Sequence, residues 1–141
     1  AFNIKKRFDR GETNLLLGMG SFWEGADFAQ QDKVIEIITR LPFDNPKDPF
    51  YQKIESLFSK QGKSTFDSYS LPMMVLRFKQ AIGRAQRRPE QRSAILLMDN
   101  RPLVKSYGKL FIKEVSQEVT LRHAPFKQIK EDIQEFLEKE C

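Results

Sequence analysis

One cysteine and one histidine are too few to build on. Cys141 alone gives no internal disulfide framework, and with His123 it falls short of any zinc-binding set. Long apolar runs are missing as well: Ala94 to Met98 is among the longest, far below the ~18 residues of a membrane-spanning helix. No charged n-region followed by an apolar h-region marks a secretory signal. The sequence has no G-x-x-x-x-G-K-[ST] loop and no D-E-A-H-like acidic box, so it carries no phosphate-binding loop of its own. No group of acids has metal-binding spacing, which leaves a nuclease without support, and no repeat or low-complexity tract breaks the chain.

What is present is enough for one domain. With 141 residues and 40% hydrophobic content, the chain can bury a real core but is short for two domains. A net charge of +5 favours a polyanionic partner. The cysteine usage fits a reducing, cytoplasmic setting, and the start at Ala1 rather than Met suggests a fragment or a processed protein.

Taken in order, residues 2 to 10 read as the end of a helix stopped by Gly11. Asn14 to Leu17 read as a buried strand, which runs into the glycine-rich loop Gly18 to Phe28. Lys33 to Thr39 form a second buried strand, ending at Arg40-Leu41-Pro42-Phe43. Asp48 and Pro49 are cap and first-turn chemistry for a helix to about Ser59 that buries Ile54, Leu57 and Phe58, with Gly62 closing it. Ser93 to Met98 give a third apolar strand, ending in Asp99-Asn100-Arg101. A short helix follows over Tyr107 to Val115, then a possible edge strand over Glu118 to His123. Pro125 starts a last helix, with the stripe Phe126, Ile129, Ile133, Phe136 and Leu137. Strands alternating with helices indicate an α/β fold with a mostly parallel sheet and flanking helices, whose ligands gather at the carboxyl ends of the strands.

Between these lies an amphipathic segment from Ser70, expected as its N-cap, to Arg88. At about 100° per residue, Leu71, Met74, Val75, Phe78, Ile82 and Ala85 share one side, while Arg77, Gln80, Arg84 and Arg87 fall nearly opposite. Such a basic face can hold a polyanion, since arginine binds phosphate bidentately, but charge alone equally describes a solvated stripe, the commoner case.

Residues Gln80-x-x-Gly83-Arg84-x-x-Arg87 match the Q-x-x-G-R-x-x-R motif of superfamily 2 helicases. Gly20-Ser21-Phe22-Trp23-Glu24-Gly25-Ala26-Asp27-Phe28 resembles a segment of the DinG-type helicases, relatives of the eukaryotic XPD helicase. Arg40 to Phe43, Asp67 to Pro72 and Asp99 to Arg101 fall in the order that family shows. The resemblance covers roughly residues 2 to 115 and implies the second RecA-like motor domain of an ATP-dependent DNA helicase, active in repair or replication.

The resemblance further implies that the nucleotide lies between this domain and a first RecA-like domain of the same polypeptide, which brings ATP and Mg²⁺. It implies Arg87 as an arginine finger, Arg84 as its partner on the γ-phosphate, Gln80 linking nucleotide and domain interface, and Gly83 permitting close approach. Gly25 and Asp27 would lie near the ribose or the interface, and Glu24 would couple nucleotide to DNA. Ser21, Phe22, Trp23 and Arg40 are the candidates for single-stranded DNA. Cysteines for the iron–sulfur cluster of some relatives, and the exonuclease domain of others, would lie outside this chain. On this reading the sheet is truncated at its N-terminal side, an uncovered edge favours self-association, and the chain alone hydrolyses no ATP. The alternative is a non-catalytic module that binds nucleic acid or docks a partner.

Overall fold

The computed structural model describes residues 2–12, 15–18 and 28–138, with the backbone alone for residues 2–4. Among them, helices and two strands alternate: α1 (Phe2–Asp9), β1 (Lys33–Ile38), α2 (Pro49–Lys60), α3 (Leu71–Ala85), β2 (Arg92–Leu97), α4 (Arg101–Val104), α5 (Gly108–Val115) and α6 (Phe126–Glu138). The chain divides into two compact units, one of residues 1–37, 80–96 and 122–141, the other of residues 38–79 and 97–121.

The strands pair in parallel. Arg92 N–H donates to the Asp32 carbonyl at 2.9 Å and Met98 N–H to the Ile38 carbonyl at 2.8 Å, the same offset at both ends. Parallel neighbours need a long crossover, here supplied by α2 and α3. This is the mixed α/β, RecA-like arrangement expected from the sequence. The strands are not fully buried, however: in β1 Val34 and Ile38 are inside while Ile35 and Ile37 are 50% and 56% exposed, the alternation of a strand covered on one face.

Among the described residues, two expected strands do not form. Residues 15–18 take no strand conformation and Leu17 is 82% exposed, because an apolar run becomes a buried strand only where a neighbour pairs with it. Residues 120–125 likewise form no strand, the chain turning at 116–118 and running without pairing into α6.

In the unit of residues 38–79 and 97–121, α2 begins as its sequence requires. The Asp48 carboxylate accepts from Phe50 N–H at 2.8 Å and Tyr51 N–H at 3.3 Å, with Pro49 in the first turn, and Gly62 at φ 66° lets the chain leave. No residue of α2 is fully buried, and Leu57 is exposed, against expectation.

Helix α3 departs from its predicted start. A π-helical turn, Phe66–Ser70, runs directly into it, so Ser70 lies inside a helical run instead of capping one. Capping passes to Ser64, whose hydroxyl accepts from Asp67 N–H at 3.2 Å. Ser70 is buried instead, its hydroxyl 2.9 Å from that of Tyr51. The apolar stripe is as expected: Leu71, Met74, Val75, Phe78, Ile82 and Ala85 are all buried. Phe78 meets Phe111 of α5 edge-on at 5.0 Å.

The unit of residues 1–37, 80–96 and 122–141 opens with α1, ended by Gly11 at φ 71°. Phe8 meets Phe28 edge-on at 6.1 Å. Helix α6 is amphipathic, but Phe126 and Phe136 remain exposed; Arg92 of β2 donates to the Phe136 carbonyl at 2.8 Å.

Candidate functional site

Helix α3 ends at Ala85, where its last turn and the turn into β2 gather the motif residues. The Ser93 hydroxyl donates to the Ala85 carbonyl at 2.5 Å, satisfying one of the acceptors a helix leaves open at its C-terminus. Just beyond, Gln91 is buried and uses both ends of its amide. Its oxygen accepts from Arg87 N–H at 2.7 Å, and its nitrogen donates to the carbonyls of Phe28 at 2.9 Å and Gln31 at 2.8 Å. Arg88 pairs with Asp32 at 2.6 Å. The backbone that presents Arg87 is therefore tied down on the strand side.

The four expected polar positions do not form one solvated face. Gln80, Gly83 and Arg87 are exposed, but Arg84 is only 8% exposed. Its charge acts on Glu36 of β1, whose carboxyl is pushed up by burial and pulled back down by Arg84. Glu36 Oε2 is buried without a hydrogen-bond partner, so the carboxyl is desolvated. Arg77 is also engaged, pairing with Asp44 at 2.7 Å and donating to the Pro42 carbonyl at 3.2 Å. Periodicity explains both: Arg77 and Arg84 lie two turns apart on the flank of the stripe beside Ala81, where long side chains turn toward neighbouring acids. Among the described residues, a Cβ added at Gly83 would meet no atom within 4 Å.

In the other unit, a cavity of about 440 Å³ opens at the carboxyl ends of the strands, lined by Thr39, Arg40, Met98, Asp99, Asn100 and Arg101. This is the edge at which parallel sheets place ligands. Arg40 is exposed and has no ion-pair partner among the described residues. Asp99 is held to about 2, first by the Arg101 hydrogen bonds and also by the Leu41 and Arg101 backbone N–H groups, against the opposing effect of burial. Beside the cavity, Phe43 stacks on Phe66 at 5.8 Å and meets Tyr107 edge-on at 5.7 Å.

Of the remaining sequence candidates, Ser21, Phe22, Trp23, Glu24, Gly25 and Asp27 lie outside the described residues. Sequence reading passed over Gln91 and Glu36. The signal for Glu36 was a lone carboxylate inside the apolar run Lys33-Val34-Ile35-Glu36-Ile37-Ile38; Gln91, in a turn, gave none. Among the described residues no three metal-ligating side chains stand together, and no helix is long and apolar enough to cross a membrane.

Comparison with known proteins gives one consistent result. The helicase C-terminal domain family matches residues 2–118. The 3'-5' exonuclease DinG of Bacillus subtilis is 38% identical over 109 residues, 77% of this chain and 12% of that protein. The ATP-dependent DNA helicase YoaA of Escherichia coli is 35% identical over 109 residues, 77% of this chain and 17% of its own length. The 3'-5' exonuclease DinG of a Staphylococcus aureus strain is 34% identical over 135 residues, 96% of this chain and 14% of that protein. The chain thus spans less than a fifth of the length of these relatives, and no solved structure matches it. With the family match running through both strands and the Gln80 to Arg87 motif, the chain belongs to the helicase C-terminal domain family, and within it to the DinG type.

Proposed function

We propose that this chain is the second motor domain of an ATP-dependent DNA helicase. In this reading it supplies an arginine finger to ATP held by a first RecA-like domain of the same polypeptide, together with part of the single-stranded DNA path. The observation that carries the reading is the end of α3, where Gln80, Gly83 and Arg87 are exposed in motif spacing and the Arg87 backbone is fixed by Gln91.

Phosphoryl transfer is accelerated by cations placed where charge builds on the γ-phosphate, and one such arginine is worth about 10³ to 10⁵ in rate. Arg87 takes this role. Arg84, sharing the interior with Glu36, is its partner, and Gln80 joins nucleotide to interface. A glycine at position 83 lets the opposing surface approach the helix closely. Gly25, Asp27 and Glu24 bear on the nucleotide side of the same interface. Mg²⁺ is brought with ATP by the first RecA-like domain in this reading.

Arg40, at the open cavity, binds backbone phosphate; Ser21, Phe22 and Trp23 are the further candidates for single-strand contacts and stacking. Closure of the cleft on ATP and its release after hydrolysis then alternate the grip on the strand. The test is ATP hydrolysis and strand separation by the full-length protein with and without single-stranded DNA. DNA-stimulated turnover is expected. A full-length protein that binds the strand but hydrolyses no ATP would instead make this chain a docking or binding module.

A further inference from the structure

The cavity beyond β1 and β2 holds two arginines in opposite circumstances. Arg101 is committed. Its Nε lies 3.0 and 2.8 Å from the two Asp99 carboxylate oxygens, and a terminal nitrogen lies 2.5 Å from Oδ2. The same guanidinium lies 5.3 Å over the Phe43 ring. Arg40 is exposed, with no ion pair to any described residue.

The Asp99–Arg101 pair also grips the backbone next to Arg40. Leu41 N–H donates to Asp99 Oδ2 at 2.9 Å, and the Leu41 carbonyl accepts from Arg101 at 3.4 Å. Backbone pairing of the strands ends with Met98 N–H on the Ile38 carbonyl. One turn further on, two side chains bond the donor and acceptor of Leu41 as a strand neighbour would. Leu41 is buried and the Asp99 side chain is 6% exposed, while Arg101 is 33% exposed and Arg40 beside it faces solvent.

We propose that Asp99 and Arg101 are positioning residues, whose clasp on Leu41 fixes the chain so that Arg40, and not Arg101, is the cation offered to a phosphodiester in the cavity. This inference rests on the reading of the cavity as part of the single-stranded DNA path. The charge of Arg101 is already matched by Asp99, and its Nε and one terminal nitrogen are engaged by the carboxylate and the Leu41 carbonyl. Arg40 has no acid paired with it among the described residues, and with its neighbour pinned it needs to order only its own side chain to bind.

The test is a fluorescence-anisotropy titration of the full-length protein with labelled oligothymidylate over a salt series. Arg40→Ala is expected to weaken binding on the order of fivefold at 0.1 M salt and to reduce the slope of log K against log salt by about 0.7, the loss of one phosphate contact. Asp99→Asn keeps the shape of the side chain but breaks the charged clasp. It is expected to weaken binding and flatten the slope as Arg40→Ala does, and to add nothing in the double variant. Arg101→Lys, which keeps the charge but loses the planar fork, should behave like Asp99→Asn.

Tighter binding and a steeper slope in Asp99→Asn would mean that Arg101 is itself the phosphate ligand, released by loss of its acid, and would overturn the inference. Full affinity in Arg101→Lys would also overturn it. If Arg40→Ala leaves both affinity and slope unchanged, the cavity is not on the DNA path, and the underlying reading fails together with the inference. Thermal melts of each variant separate these outcomes from unfolding.

Discussion

Gln91 holds Arg87 by its backbone: the buried amide oxygen accepts the Arg87 N–H at 2.7 Å while the amide nitrogen bridges the carbonyls of Phe28 and Gln31. A residue with no part in the chemistry thus fixes the segment that presents the proposed finger. Gln91→Ala removes three hydrogen bonds made by a buried amide, while the Phe28 and Gln31 carbonyls keep Gln31 N–H and Arg88 as donors, so a loss of about 1 to 3 kcal/mol is expected in a denaturant melt. At temperatures where the variant stays folded, kcat of the full-length protein should fall while the KM for ATP changes little. Equal stability and turnover would show the clamp to be incidental.

Gly83 gives the opposite expectation for stability. Nothing in the described chain crowds it, and glycine inside a helix costs roughly 0.5 to 1 kcal/mol relative to alanine. Gly83→Ala should therefore raise the melting temperature and, if the proposed interface closes on α3 at this glycine, lower DNA-stimulated ATP hydrolysis. A stabilised variant with full activity would remove Gly83 from the interface.

Gly108, by contrast, is required by packing within the chain. A Cβ there would overlap the backbone carbonyl of Pro102, at the joint of α4 and α5. Gly108→Ala is expected to destabilise by about 1 to 3 kcal/mol. Thermal unfolding of the variant measures it, and an unchanged melt would mean that the joint relaxes freely.

The Asp99 carboxyl sets an acid dependence. Its folded value of about 2 lies below the ordinary 3.8, so the clasp contributes stability that is complete above about pH 4 and is lost as the pH falls from about 4 to about 2. Allowing for solvent screening, the contribution is on the order of 1 kcal/mol. Urea melts of wild type and Asp99→Asn should differ by about that much at pH 7 and converge toward pH 2. A difference independent of pH would assign the effect to shape and not to charge.

What the sequence made legible follows from local chemistry. Asp48 and Pro49 announced α2 because cap and first-turn preferences act within a few residues, and the stripe from Leu71 to Ala85 announced α3 because its period is that of a helix facing a core. Gln80, Gly83 and Arg84 were readable for the same reason, as a spacing on one helix, but α3 ends at Ala85, short of the expected Arg88, so Arg87 stands in the segment beyond it. The start of α3 was missed although Ser64-x-x-Asp67 carried a capping signal, because Ser70 and Pro72 offered a second plausible start closer to the stripe. The depth of Arg84 was not readable, since periodicity gives an angle around the helix and not the position of Glu36 on a strand far away in sequence. The strand expected over Asn14 to Leu17 failed for the related reason that burial belongs to the pairing partner and not to the run itself. The clasp of Asp99 and Arg101 on Leu41 joins two strand exits and could only be seen once they were side by side.

The most direct measurement of the central claim is single-turnover and steady-state ATP hydrolysis by the full-length protein with Arg87→Ala, at saturating single-stranded DNA. An arginine finger predicts a fall in kcat of about 10³-fold or more, with DNA binding retained. Turnover within a few fold of wild type would contradict the account and leave the end of α3 as a solvated basic turn.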